Sequence, residues 1–329
     1  MGGSGGNGGF AGGGGGGGGG TPDGTFGFGG FAGGNGAQAN SGGNLGNGGG
    51  GGGGLGGAIF NYGGTLTLTN CTFSGNAAVG GDGGAYSVTA APGLGLGGAI
   101  FNRNGVITVL NCTFANNRSD QGGSGLYNLG DGTNLAGNVS LRNCILASSV
   151  SSAYDYMAST INSGTTTNTG HHNLIRFNSG FTGGIVATAD PLLGPLANNG
   201  GPTLTHMLLN HSPALDAGDN TGLPLTDQRG YPRVADGTGS GSLIADLGAV
   251  EDGLFRLRTF PQTASSIQVS GFQLFLTGES NRVYVTEFSP DLTTWNPVST
   301  NEVFGVEVPV LDTQTGAASY RFYRAHTLP

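Results

Sequence analysis

Apolar and polar residues alternate in three stretches of the chain, 65–73, 106–114 and 138–146, which align position by position. This period of two is typical of strands with one buried face. The apolar columns of the alignment are Leu66, Ile107 and Val139; Leu68, Val109 and Leu141; Cys71, Cys112 and Cys144; and Phe73, Phe114 and Leu146. A hydroxyl column of Thr67, Thr108 and Ser140 lies between the first two. The repeats predict an all-β fold built on a right-handed parallel β-helix.

Two asparagine columns mark the bends between the predicted strands. At the first column the alternation slips by one residue, as a bend requires. Asparagine suits a bend because it tolerates left-handed backbone and can hydrogen-bond the backbone or the asparagine of the neighbouring repeat. The two columns are Asn70, Asn111 and Asn143, and Asn61, Asn102 and Asn128.

Residues 1–54 form a glycine-rich arm that is more than half glycine, with a few scattered phenylalanines. Disorder is the expected state, because such a sequence loses much backbone entropy on folding and offers little apolar surface to bury. The alternative is that stretches such as 12–20 form extended three-fold polyglycine helices packed against the β-helix.

The composition changes at residue 254, where we place the start of a third domain. Alternating runs at 268–276, 282–288, 303–310 and 319–325 predict a small antiparallel β-sandwich. Trp295 is expected in its core, although an exposed sugar-stacking platform with neighbouring tyrosines is the alternative. The expected domains are therefore 1–54, 55–253 and 254–329.

The charge balance limits the classes of partner. The chain has 11 arginines and no lysine against 19 acidic residues, for a net charge of -8. A basic patch for nucleic acid or for an anionic membrane is therefore not expected. The sequence shows no apolar membrane span and no signal peptide, and the N-terminus is expected to be truncated. We expect a monomer without a cofactor.

Three cysteines in one inward column predict small buried side chains rather than a disulfide framework or a zinc site, since their number is odd. The adjacent pair His171 and His172 precedes a fourth bend of the same kind. Successive strand residues point to opposite faces, so we expect this pair to form a solvated turn rather than a metal site.

Two short elements of the repeats resemble a known family. Gly-Gly-Ala-Ile occurs at 56–59 and 97–100, and a Phe-x-x-Asn element occurs at 73–76 and 114–117. These elements resemble the repeats of polymorphic outer-membrane proteins, which are β-helical surface adhesins. The resemblance implies a protein of the cell surface or outer membrane.

The closing part of the predicted β-helix resembles the choice-of-anchor Q domain of secreted bacterial proteins. The resemblance covers about 140–252 and rests on four ordered motifs, at 190–206, 212–219, 226–230 and 246–251. It implies secretion or surface attachment and assigns no enzymatic activity. The chain departs from the family pattern in showing no recognisable sorting tail.

The repeats provide little for catalysis. Polysaccharide-cleaving β-helix enzymes need clustered carboxylates for calcium, or a carboxylate pair across the glycosidic bond. The acids between 55 and 180 are only Asp82, Asp120, Asp131 and Asp155, and no two have the spacing that places them side by side on a strand. We therefore expect no catalytic residues, with a polysaccharide lyase or glycoside hydrolase as the alternative.

An acidic run in the closing segment has two interpretations. Its carboxylates could hold calcium, and the candidates are Asp216, Asp219, Asp227 and Asp246. The favoured interpretation is structural: Arg229 and Arg233 pair with Asp246 and Asp227, which compensates buried charge. The sequence as a whole predicts a non-enzymatic secreted or surface protein, an adhesin or structural platform that contacts glycans or surfaces.

Overall fold

A computed structural model describes residues 3–18, 24–38, 47–85, 88–147, 154–209, 211–235, 243–252, 256–278, 282–303, 308–314 and 320–327. The chain divides into two compact units, Met1–Pro191 with Leu247–Ala249, and Leu192–Asp246 with Val250–Pro329. This division differs from the three expected domains. The glycine-rich residues belong with the repeats, and most of the closing segment belongs with the C-terminal residues.

The first unit contains only β-strands as regular elements among its described residues. They are β1 (Gly54–Leu55), β2 (Ile59–Tyr62), β3 (Thr65–Thr69), β4 (Thr72–Ser74), β5 (Ala77–Ala78), β6 (Gly95–Leu96), β7 (Ile100–Arg103), β8 (Val106–Leu110), β9 (Thr113–Ala115), β10 (Arg118–Ser119), β11 (Leu126–Asp131), β12 (Ala136–Arg142), β13 (Ile145–Ala147), β14 (Tyr156–Ile161), β15 (Thr165–His171), β16 (Asn173–Ile175), β17 (Asn178–Ser179) and β18 (Ile185–Ala187).

Most of these strands form three parallel sheets. Their orders are β2-β7-β11-β14-β17, β3-β8-β12-β15 and β4-β9-β13-β16-β18. Each sheet takes one strand from each pass of the chain, and we call such a set of three consecutive strands a rung. The first rung is β2 to β4, the second β7 to β9, the third β11 to β13 and the fourth β14 to β16.

The register agrees with the columns of the sequence. Leu66 pairs with Ile107 and Leu68 with Val109, and the third rung continues both columns. Phe73 pairs with Phe114, and the two rings stack with their centroids 4.8 Å apart. These side chains meet in one core between the three sheets, where Phe114 and Ile107 are fully buried.

The fourth rung replaces several apolar core positions with polar ones. Asn168 pairs with Val139 and Gly170 with Leu141, so they occupy the first two apolar columns. The Tyr156 hydroxyl lies 2.5 Å from Asn168 Oδ1, and its ring packs against Phe181. A tyrosine and an asparagine thus fill space that aliphatic side chains fill in the second and third rungs.

The glycine-rich residues form hydrogen-bonded extended segments, and the expectation of disorder is not met in their described part. We number the segments g1 (3–9), g2 (12–18), g3 (24–30), g4 (33–38) and g5 (47–53) in the arm, and g6 (80–84) and g7 (90–94) between β5 and β6, which hydrogen-bond to g5. In g2, Gly12, Gly15 and Gly18 donate to g1, and Gly14 and Gly17 donate to g4. Carbonyls of g2 accept from g3 and g5. Bonds to each neighbour recur every third residue, which is the period of a polyproline-II-type helix.

Segment g2 is pure glycine because neighbours surround it. A Cβ on Gly13 would overlap the carbonyl oxygen of Gly50, and one on Gly14 would overlap that of Gly27. On the outer side of g1, a Cβ on Gly6 would meet nothing within 4 Å. Close approach of backbones therefore dictates the composition of the inner segment.

Two turns of the glycine-rich segments contact the first sheet. Phe10 and Phe31 stack on each other with ring centroids 5.3 Å apart, and lie 6.3 Å and 6.1 Å from the ring of Phe101. The Arg103 guanidinium lies 3.8 Å from the centre of the Phe10 ring. Phe101 is fully buried as a result, although it lies on the face of β7 opposite the core of the three sheets.

The second unit is also mainly β. Its elements are β19 (Leu193–Ala197), β20 (Thr205–Leu208), β21 (Arg256–Arg258), α1 (Ala264–Ser270), β22 (Phe272–Thr277), β23 (Arg282–Ser289), β24 (Asn296–Val303), β25 (Val308–Asp312) and β26 (Phe322–Thr327). Strands β19 and β20 pair as a hairpin, and the others form two three-stranded antiparallel sheets, β21-β22-β25 and β24-β23-β26.

Two expectations for this unit need correction. Of the run expected as a strand over 268–276, residues 268–270 belong to helix α1 and the strand β22 begins only at Phe272. The start of α1 is capped by the Thr263 hydroxyl, which accepts from the Ser266 amide at 3.1 Å. Trp295 is only half-buried and carries the Arg324 guanidinium 4.1 Å above its ring. The core of this unit is built around Tyr284 instead.

Candidate functional site

The outer face of the second sheet carries an open groove. Strand β12 alternates half-buried and buried residues, which places Ser140 and Arg142 outward while Val139 and Leu141 point into the core. Ser140 pairs with Thr108 in β8 and with Thr169 in β15, so the hydroxyl column crosses the sheet. The groove has a volume of about 310 Å³ and is lined by Thr108, Val109, Leu110, Ser140, Arg142, Gly170 and His171.

Two basic side chains occupy one side of this groove. Arg142 pairs in register with His171 on the neighbouring strand. His171 is exposed, and its Nδ1 lies 2.9 Å from Nδ1 of His172. One ring nitrogen must donate and the other accept, so this contact requires one of the two nitrogens to be unprotonated. His172 has a φ of 53° and occupies the bend position, as a turn residue would.

Gly170 shapes the end of the groove. Its φ is 112°, and a Cβ there would overlap the carbonyl oxygen of Leu141. The residue therefore lacks a side chain for steric reasons. Its carbonyl accepts from the Gly184 amide at 2.8 Å, which fixes the strand end beside His171.

The carboxylates of the rungs lie outside this groove and contact other protein groups. Asp131 forms an ion pair with Arg103 at 2.6 Å, and Asp155 is fully buried and accepts from the Phe177 amide at 3.2 Å. Asp120 accepts from the Gly80 amide at 2.9 Å, whereas Asp82 is exposed. No carboxylate is among the described residues that line the groove, so these residues supply no acid and base pair of the kind that glycoside hydrolysis uses.

The first asparagine column adopts the predicted backbone. Asn70, Asn111 and Asn143 have φ values of 52°, 49° and 52°, in the left-handed region. The cross-rung amide ladder, however, forms in the second column. There Asn61 donates to Asn102, Asn102 to Asn128, and Asn128 to Asn168, each at 2.8 Å.

The three cysteines form no disulfide and have different environments. Cys112 and Cys144 are fully buried, and burial raises the pKa of the Cys112 thiol well above its usual range. Cys71 belongs to the first rung and is half-buried, with its amide 3.3 Å from the Cys112 sulfur. A hydrogen bond from the Cys112 thiol lowers the pKa of Cys71 to about 6.

In the second unit, a buried charge cluster replaces the expected pairing of Arg229 with Asp246. Arg229 Nε instead donates to Asp227 at 2.8 Å, because both residues lie in one tight turn where Asp227 also accepts from the Arg229 amide. Arg233 donates to the main-chain carbonyl of Asp246 at 2.7 Å and lies 3.9 Å from Glu251.

The carboxylates of this cluster accept backbone hydrogen bonds. Asp246 accepts from the amides of Asp216 and Asp252, at 2.7 and 2.6 Å. Burial raises the pKa of Glu251 to about 9, and the charge of Asp246 contributes. The calcium candidate Asp219 accepts from the Thr221 amide at 3.0 Å. These contacts fit the structural interpretation of the acidic run.

Comparisons with protein families, with curated proteins and with solved structures found no match for this chain. Among the described residues, no helix has the length and apolar character that crossing a membrane would require.

Proposed function

We propose that the first unit is a right-handed parallel β-helix and that it serves as a non-enzymatic, glycan-binding platform of a secreted or cell-surface protein. Three parallel sheets that each take one strand from every rung support the β-helix. Parallel crossovers are right-handed in nearly all known folds, which supports the handedness. The two antiparallel sheets of the second unit support a small β-sandwich.

The groove on the second sheet carries the functional proposal. Its outward polar side chains are two hydroxyls, one guanidinium and one imidazole, which donate and accept hydrogen bonds as sugar hydroxyls require. Its hydroxyl column repeats from strand to strand at the spacing of a sheet, about 4.8 Å. A repeating polymer can therefore contact several rungs in the same way, and weak contacts add up.

The motifs that resemble the choice-of-anchor Q domain have a structural role in this proposal, and the buried charge cluster supports that role. Asp227 and Arg229 belong to the motif at 226–230, and Asp246 and Glu251 to the motif at 246–251. Contacts between the two motifs, such as the Glu251 amide donating to Asp227 at 3.1 Å, give both motifs a role in folding. Secretion or surface attachment is the location that this resemblance implies.

The test is to incubate the purified chain with neutral and acidic polysaccharides and to record co-sedimentation and released oligosaccharides in the same tubes. Binding without release is expected. Arg142→Gln should weaken binding about tenfold, equivalent to about 1.4 kcal/mol, because a charge-assisted contact is lost. Arg118→Gln is the matched control, since Arg118 is an exposed arginine of β10 that lies outside the groove.

Two results would contradict the proposal. Equal binding by wild type and Arg142→Gln would show that the groove does not hold the glycan. Release of oligosaccharides by the wild-type chain would show that the protein is an enzyme whose catalytic groups lie elsewhere.

A further inference from the structure

Two of the three cysteines lie side by side, at the same bend of the first and second rungs. The residues that follow them, Thr72 and Thr113, pair in register, and the Thr113 amide donates to the Cys71 carbonyl at 2.9 Å. Neighbouring strands lie about 4.8 Å apart, which is within the Cα separation of about 4.4–6.8 Å that disulfides accept. The backbone therefore holds Cys71 and Cys112 at a separation that a disulfide can span.

The two side chains are also in contact. The Cys71 amide lies 3.3 Å from Cys112 Sγ, and the Cys112 thiol donates a hydrogen bond to the Cys71 sulfur. Each sulfur lies close to the carbonyl oxygen two residues earlier in its own strand, at 3.2 Å from Thr69 and 3.3 Å from Leu110. The sulfurs thus have the same orientation in both rungs, and rotation of the side chains is enough to join them.

Access to solvent differs between the two thiols. Cys71 belongs to the rung at the end of the three sheets and is half-buried, whereas Cys112 is fully buried. A small oxidant in solution therefore meets Cys71 first. The thiolate is the form that reacts, and the lowered pKa of Cys71, about 6, makes it the main form at neutral pH.

The third cysteine does not share this access. Cys144 is fully buried in the third rung, and its sulfur lies 3.1 Å from the Arg142 carbonyl oxygen and 3.6 Å from that of Val109. Oxidation of a thiol follows its exposure and its thiolate character, so a bond between Cys112 and Cys144 has no exposed thiol at which to begin. Cys144 should remain a thiol.

We propose that Cys71 and Cys112 form a reversible oxidation site that takes a small hydroperoxide, with Cys71 as the attacking thiol and Cys112 as the resolving thiol. The product is a disulfide that joins the first rung to the second and stabilises the end of the sheets. An odd number of cysteines is compatible with one such pair, since Cys144 is left over. The site does not depend on the groove of the second sheet, so it does not rest on glycan binding.

The reaction has two steps. The Cys71 thiolate attacks one oxygen of the peroxide; a sulfur–oxygen bond forms, the oxygen–oxygen bond breaks, and the departing oxygen takes a proton to leave as water or an alcohol. The Cys112 sulfur then attacks the sulfenic acid of Cys71, and the hydroxide that departs takes the thiol proton as water. The two thiols lose two electrons in total, and the peroxide gains them.

The first test treats the folded wild-type chain with hydrogen peroxide, blocks the remaining thiols by alkylation after unfolding, and maps the digested peptides by mass spectrometry. Peptides of Cys71 and Cys112 should be joined, Cys144 should be alkylated, and dithiothreitol should restore three thiols. The same treatment of the chain unfolded in urea is the control. It should give no preference for this pair, because the fold no longer holds the two residues together.

Variants separate the two roles. In Cys112→Ala the reaction should stop at the sulfenic acid of Cys71, which dimedone traps. In Cys71→Ala the loss of thiols should be at least tenfold slower than in wild type, because both remaining cysteines are buried. Cys144→Ala is the matched control, a buried cysteine of the same column, and it should form the same disulfide at the wild-type rate.

Hydrogen exchange reports the effect on the fold. Amides of β3 and β4 should exchange at least tenfold more slowly in the oxidised chain than in the reduced chain, since the bond closes a long loop and ties the first rung to its neighbour. Three results would overturn the proposal: a wild-type chain that keeps all three thiols, a disulfide between Cys112 and Cys144, or a Cys71–Cys112 disulfide that leaves this exchange unchanged.

Discussion

The buried amide ladder gives a quantitative prediction. The Asn102 side chain is fully buried, donates to the Gly105 carbonyl at 2.9 Å and to Asn128 at 2.8 Å, and accepts from Asn61. In Asn102→Ala, two buried acceptors lose their donor. Each such loss costs about 1–3 kcal/mol, so we expect about 2–6 kcal/mol less free energy of unfolding for the first unit.

Asn61→Ala is the internal comparison. Asn61 begins the ladder in the half-exposed first rung, where its amide donates to the Gly64 carbonyl and to Asn102. Only the Asn102 oxygen is a fully buried acceptor, so the expected cost is about 1–3 kcal/mol. The Asn102 variant should therefore be the less stable of the two.

Hydrogen exchange of the amides of β7 and β11 is the appropriate assay. It reports the opening of the first unit directly, whereas the single tryptophan, Trp295, lies in the second unit. The reasoning is refuted if Asn102→Ala raises these exchange rates no more than Asn61→Ala does. In that case solvent would satisfy the ladder, and the amides would contribute little to stability.

The glycine segments and the charge cluster provide two further predictions. Gly14→Ala should cost about 1–3 kcal/mol by overpacking the inner segment, whereas Gly6→Ala should be neutral or slightly stabilising, and thermal unfolding of both variants checks this. The raised pKa of Glu251 means that the folded state holds a proton that the unfolded state releases above about pH 4.5. This contribution to stability is complete below that pH and is lost as pH rises towards 9. Glu251→Gln should remove that part of the pH dependence in denaturant titrations, and an unchanged slope would contradict it.

The rungs could be predicted from the sequence because each strand repeats the same burial pattern. Residues that align in the sequence, such as Leu66, Ile107 and Val139, are also the residues that pair between neighbouring strands, so the alignment predicts the register. The fourth rung was harder to recognise because Asn168 and Gly170 break the apolar columns. The Tyr156 hydroxyl and the Asn128 amide both donate to Asn168 Oδ1, which explains why a polar residue fits at that position.

The structures of the glycine-rich arm and of the charge cluster could not be predicted, because they depend on contacts that the composition does not show. The hydrogen bonds between segments of the arm recur every third residue, but a run of identical glycines shows no such period in the sequence. The sequence signal for this packing is the pair of turns at Phe10 and Phe31. The two phenylalanines are 21 residues apart, and their stacked rings hold neighbouring segments together. In the cluster, the pairing of Arg229 with Asp227 follows from the local turn, which competes with any more distant carboxylate.

The packing of the glycine segments has a consequence for how this part of the molecule responds to temperature. Its seven segments are joined by backbone hydrogen bonds and contain few side chains, so unfolding them exposes mostly polar peptide groups. Exposure of polar surface lowers the heat capacity, whereas exposure of apolar surface raises it. The seven segments should therefore have a flatter stability curve than the core of the rungs, and they should lose less stability on cooling.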